Sequence, residues 1–172
     1  MKVMLPAFAL ALVMFASCDK DDDNNSNKTV SSADSAFSPM AAMSNYAEVS
    51  AGQLALTRSS DSSVLAFANR MIADHTKAQD SLKLVASQYG LRAPDSLNYE
   101  QAAVAAQLQT LTGRAFDSAY IFSELDGHVK TIALLNDEKV NGTNSALKQY
   151  VDTYLPAVQM HYDMADSLSN NF

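Results

Sequence analysis

Residues Val64 to Tyr89, VLAFANRMIADHTKAQDSLKLVASQY, decide the fold. Val64, Ala68, Met71, His75, Ala78, Leu82, Val85 and Tyr89 recur at steps of four and three, the rhythm of one face of an α-helix. His75 stands inside that apolar row, with Asp74 directly before it. An imidazole in a stripe that is otherwise core needs either a partner or a ligand, because a buried polar group without one is costly.

The same rhythm extends from Asp34 to the last residues, and no stretch sustains the apolar/polar alternation of a half-buried strand, so the domain is expected to be all-α. Turn and cap signals divide it: Ser59-Ser60-Asp61, Gly90 followed by Ala93-Pro94-Asp95, Gly113, and Asn141-Gly142. The expected helices cover 35–58, 61–89, 97–111, 114–140 and 144–168. Four are long, roughly 30–40 Å at 1.5 Å per residue, and one is short. Short turns make hairpins of the first pair and the last pair. The economical fold is a four-helix bundle with a short extra helix in the crossover between the second and third long helices. A looser helical array is the alternative.

The other two histidines occupy equivalent places. His161 lies in the row Leu147, Val151, Tyr154, Val158, His161, Ala165, Leu168, and His128 in the row Ile121, Leu125, His128, Ile132, Leu135, with Glu124 one turn before it. The first helix has no histidine, but its row Phe37, Ala41, Ser44, Glu48, Ala51, Ala55 carries a carboxylate. Each long helix thus aims one imidazole or carboxylate inward. Counted from the hairpin turns, the axial mismatch is ~5 Å for Glu48 and His75 and ~9 Å for His128 and His161, and the lean of side chains toward helix N-termini narrows both. Gly52 and Gly127, inside helices where glycine costs ~1 kcal/mol relative to alanine, are read as leaving room there. Pro156 removes a backbone donor just over one turn before His161 and invites a kink.

These groups define the candidate site: Glu48, His75, His128 and His161 as metal ligands, with Asp74 and Glu124 as additional ligands or as groups that orient the histidines. A nitrogen and oxygen set suits zinc, copper or iron. Met71, one turn before His75, and Met160 and Met164 beside His161 tilt the choice toward copper, unless they are core filler. The competing reading is that the histidines bond to Glu48, Asp74 or Tyr120 and only specify packing. No catalytic residue stands out: beyond Cys18 there is no thiol, and there is no nucleophile elbow or glycine-rich phosphate loop.

The start of the chain concerns location. Residues 1–17, MKVMLPAFALALVMFAS, read as a secretory signal, with an apolar run shorter than the roughly 20 residues a spanning helix needs. Phe15-Ala16-Ser17-Cys18 resembles the lipobox of bacterial lipoproteins, with Phe15 in place of the usual leucine, and implies lipidation at Cys18 and a membrane partner. Residues 18–33 hold that cysteine and an acidic tether, DKDDDNNSNKTVSSA after Cys18, too polar to bury a core. The acidic cluster also resembles the surface-export signal of lipoproteins in the Bacteroidota; a generic solubilising linker is the other reading. Outer-membrane anchoring, on the periplasmic or the surface face, is the expected location. Cleavage removes Lys2 and leaves 11 basic against 19 acidic residues, a balance of −8 that argues against nucleic acid as a partner.

Glu48-Val49 with Leu54-Ala55, Phe67-Ala68 through Met71-Ile72-Ala73-Asp74-His75-Thr76, Phe116-Asp117 with Tyr120 and His128, and Leu155-Pro156 with His161 together resemble the bacterial envelope family called domain of unknown function 4142, in the ferritin-like superfamily. The resemblance covers 34–172 and implies a ferritin-like four-helix bundle and an envelope location. It implies little about activity. The chain departs from the carboxylate pattern of ferritin-like enzymes, in which Glu-x-x-His recurs on facing helices. Glu124 and His128 are four apart, and His161 has no glutamate three residues before it. A di-iron oxidase or an iron-storage cage is not expected.

Overall fold

The computed structural model describes residues 29–172. The expected signal peptide, Cys18 and all but the last residues of the tether lie outside the described residues. Among those described, the protein is helical throughout, with five helices and no strand: α1 (Ser32–Arg58), α2 (Ser62–Tyr89), α3 (Tyr99–Gln109), α4 (Gly113–Asn141) and α5 (Ser145–Ser169). No helix among them is long and apolar enough to cross a membrane.

Local chemistry sets the boundaries. Helix α1 begins two residues inside the stretch read as tether, because Ser31 and Asp34 form a capping box that satisfies two backbone N–H groups reciprocally. Asp61 caps α2 through the N–H groups of Ser63 and Val64, and Gly90 ends that helix at φ 66°, a left-handed conformation that favours glycine. Asn98 and Gln101 form a second capping box at α3, and Asn144 caps α5. Pro156 sits within α5, which runs on through it.

Helix α1 packs on α2 and α4, and α5 packs on α4 and α2, so the four long helices close a bundle-like ring; α3 leans on α1 and α4 from outside. Gly52 serves this packing. A Cβ there would lie 2.8 Å from Ile72 Cγ1 and 3.0 Å from the Ala68 carbonyl oxygen, so α1 and α2 approach where only a hydrogen fits.

The apolar core comes in two blocks. One gathers Phe37, Ala41, Leu82, Leu135, Leu147 and Val158; the other gathers Ala55, Val64, Phe67, Met71, Phe116 and Tyr120. On each long helix the two blocks are separated in sequence by the polar residues: Glu48 between Ala42 and Ala55, His75 between Met71 and Ala78, Glu124 and His128 between Ile121 and Leu135, and His161 between Val158 and Ala165. A buried polar layer therefore crosses the bundle between two hydrophobic halves.

The helices are turned slightly relative to the rows read from sequence. Asn45 and Gly52 of α1 are buried where Ser44 and Ala51 were expected, and Glu124 and Thr131 of α4 are buried where Leu125 and Ile132 were expected. Asn45, Glu124 and Thr131 win these places because they have polar partners nearby, which apolar periodicity does not weigh, and Gly52 is covered by the close approach of α2.

A candidate metal centre

The three histidines meet. Their ring centroids lie 5.8 Å (His75–His128), 5.3 Å (His75–His161) and 5.6 Å (His128–His161) apart, and one nitrogen from each ring lies within 4.8 Å of the other two. One atom each of Glu48, Glu124 and His128 meets the same limit, so His128 joins the two groups. All five side chains are at least nine-tenths buried. This cluster of histidine and glutamate groups can hold a metal ion.

Each ring is fixed by one hydrogen bond on its outer side. His75 Nδ1 lies 3.0 Å from Asn45 Oδ1, His128 Nδ1 lies 2.8 Å from the Glu124 carbonyl oxygen, and His161 Nε2 lies 3.1 Å from Asp74 Oδ2. All three partners accept, so each outer nitrogen must carry the proton and donate. Asn45 is held in that orientation because its amide nitrogen donates to the Tyr150 hydroxyl at 3.0 Å. The opposite nitrogens, His75 Nε2, His128 Nε2 and His161 Nδ1, are buried and partnerless. In the neutral rings these carry lone pairs, and lone pairs cannot bond to one another.

The charges follow from burial and neighbours. Burial pushes the His75 imidazole down to about 4, helped by the other two rings and opposed by Glu48, so this ring is neutral at pH 7. Burial also depresses His161, against the hydrogen bond that it donates to Asp74. Burial would raise the Glu48 carboxyl, but His128, a hydrogen bond from Glu124, and His75 and His161 outweigh it and hold the group below its ordinary value. Glu124 moves the other way: burial and the charge of Glu48 push it well above its ordinary range. The opposite shifts mean that the pair shares one proton, held mainly by Glu124. Tyr120, deeply buried beside both, is also pushed up.

Asp74 is the outermost member. Its side chain is a quarter exposed and accepts from Arg70 Nε at 2.7 Å as well as from His161. Burial is outweighed by these two partners, and its carboxyl is held below the ordinary value. Asp74 and Asn45 thus orient His161 and His75 from outside. A cavity of about 20 Å³, the size of a single water, adjoins Asn45, Asp74, His75 and His161.

All six residues read from the sequence as ligands or orienting groups lie in this region. The methionines do not join them. Met160 is 36% exposed and lies against Arg70, while Met71 and Met164 pack with Phe67, Phe116 and Tyr120 in the apolar block, so no thioether tilts the site toward copper. Gly127 does leave room for the site: a Cβ would lie 3.2 Å from Glu48 Oε1. Asn45 was missed by the sequence reading. Its signal was a polar residue one turn before Glu48, on the side the chosen row passed by.

A helical bundle with a buried histidine and carboxylate cluster is the class that fold and site define. The chain belongs to the family described as Domain of unknown function (DUF4142), whose family model matches residues 20–168. Neither a curated protein nor a solved structure gave a match to the chain.

Proposed function

We propose that the protein is a lipid-anchored envelope protein whose ferritin-like four-helix bundle binds one transition-metal ion through His75, His128, His161 and Glu48. The observation that carries this reading is the set of three buried imidazole nitrogens, one from each ring and none with a hydrogen-bond partner, beside the Glu48 carboxyl group. Each buried unsatisfied polar group costs about 1–3 kcal/mol, so three nitrogens together are comparable to a large share of the 5–15 kcal/mol that stabilises a typical domain. A cation satisfies all of them at once. Outer hydrogen bonds that fix tautomer and ring orientation are the usual support of metal-binding histidines. Zinc and iron suit the nitrogen and oxygen set, and copper suits it without help from sulfur.

Metal analysis of the purified protein tests this. One equivalent of metal is expected after reconstitution with zinc, iron or copper, with near-complete loss in His75→Ala and in His161→Ala. The melting temperature of the wild type should rise with added metal, since a ligand at 100 times its Kd that binds only the native form stabilises by about 2.7 kcal/mol. A wild type that stays metal-free and shows no shift sinks the reading. The outer hydrogen bonds of the rings would then favour a structural or interaction lipoprotein of the cell envelope whose histidines specify packing.

The anchor rests on the signal-like start and the FASC motif ending at Cys18. Outer-membrane fractionation with labelled palmitate in the bacterial envelope should show label and membrane association in the wild type and neither in Cys18→Ser. Label retained by the variant would exclude that cysteine as the lipid site.

A further inference from the structure

A second site opens beside the histidine cluster. Between α1 and α4, under α3, lies a cleft of about 780 Å³, within the range of small-molecule sites. Apolar side chains reach its walls from all three helices and the loop before α3: Met40, Leu54, Leu97, Val104, Leu108 and Leu134. Helix α3 buries only Leu108, and Val104 lines the cleft yet remains 36% exposed. The short helix therefore presents apolar side chains to a space that the protein does not fill.

The charged groups are few and mostly of one sign, set among neutral polar side chains such as Ser44, Gln53, Asn98, Gln101 and Thr131. Glu48, Glu124, Glu100 and Asp126 line the cleft, against the single cation Lys130. Lys130 is already engaged, with Asp126 at 2.8 Å and with Glu100 of α3. Carboxylates outnumber the one committed ammonium here and repel an anion such as a fatty-acid carboxylate. A neutral apolar molecule would cover the walls but bring no donor to Glu48 Oε2 or Glu124 Oε2, which have no hydrogen-bond partner. A cation with an apolar body satisfies both.

We propose that this cleft binds a small amphiphilic amine, its hydrocarbon body against Leu54, Leu97, Val104 and Leu134 and its ammonium donating to Glu48 and Glu124. The site stands on volume, wall chemistry and charge and does not depend on the metal reading. Because the two sites share Glu48, amine and metal compete.

The test is isothermal titration of chelator-treated protein with octylamine, octanol and octanoate. Octylamine should bind at least tenfold more tightly than the other two. Val104→Trp, which adds bulk to the part of the cleft that the hydrocarbon body would occupy, should weaken octylamine at least tenfold, with helical content and metal uptake as in the wild type. Glu48→Gln should remove the preference for octylamine over octanol. Octanoate or octanol binding as tightly as octylamine overturns the proposal, as does a Val104→Trp variant that binds octylamine like the wild type. The two readings fail separately: metal uptake without amine binding defeats only the cleft proposal, and amine binding without metal uptake defeats only the metal reading.

Discussion

Asn45 illustrates how much a single side chain can set. Its oxygen accepts from His75 and its nitrogen donates to Tyr150, so one amide fixes the tautomer of a ring that burial already keeps neutral. Replacing Asn45 with Ala should leave the helices intact yet weaken metal binding roughly 10–100-fold, the usual cost of removing a group that orients a ligand. Competition titration against a chromogenic chelator reads this, and unchanged affinity would show that His75 needs no such support. At this scale the sequence was partly legible. Histidines and carboxylates in apolar rows are rare enough to notice, whereas an asparagine one turn away is common in helices and was passed over. The outward turn of Met160 was also hidden, because two flanking positions on a helix face different directions and spacing alone does not say which is inside.

Among the elements, the far ends of α1 and α4 hold a second acid pair. Asp34, at the start of α1, accepts from the backbone N–H groups of Thr143 and Asn144, tying that start to the α4–α5 turn. Glu138, in the last helical turns of α4, is fully buried beside it. Burial, Asp34 and Asp137 push its carboxyl up to about 8, against the pull of Lys148. The native state thus binds this proton more tightly than the unfolded chain, so the stabilisation is complete below the ordinary carboxyl range and is lost as pH rises through about 8. His75 acts oppositely, adding stability as pH rises from about 4 to 6.5 and nothing above. Urea midpoints of metal-free protein should therefore fall from pH 6.5 to 8.5, and Glu138→Gln should flatten that fall. An equal slope in the variant would place the proton elsewhere. Gly52 gives the second prediction at this scale: Gly52→Val should destabilise by about 1–3 kcal/mol, because the Ala68 carbonyl on α2 cannot retreat. Retained stability in urea melts would show that α1 can slide. Helix number and approximate ends were readable from caps and glycines, but the rotation of α1 and α4 was not, since it follows from polar contacts between helices.

For the molecule as a whole, the notable arrangement is a polar layer between two apolar blocks. Such a layer is not retained for stability alone. Replacing buried charged groups with well-packed apolar ones is often neutral or stabilising by about 1–4 kcal/mol. The combined variant Glu48→Leu, His75→Leu, Glu124→Leu, His128→Leu, His161→Leu should accordingly melt no lower than the metal-free wild type while taking up no metal. A sharply lower melting temperature would mean that the layer is structural. The level of this layer was legible from hairpin counting, because helical rise is fixed. The cleft under α3 was not, since it is defined by space that side chains leave empty. The layer also constrains biogenesis. Its members come from α1, α2, α4 and α5, with Glu48 near the beginning of the folded part and His161 near its close. A chain synthesised from its N-terminus cannot complete this layer until the last helix has been made, so the layer closes only when all four long helices have come together.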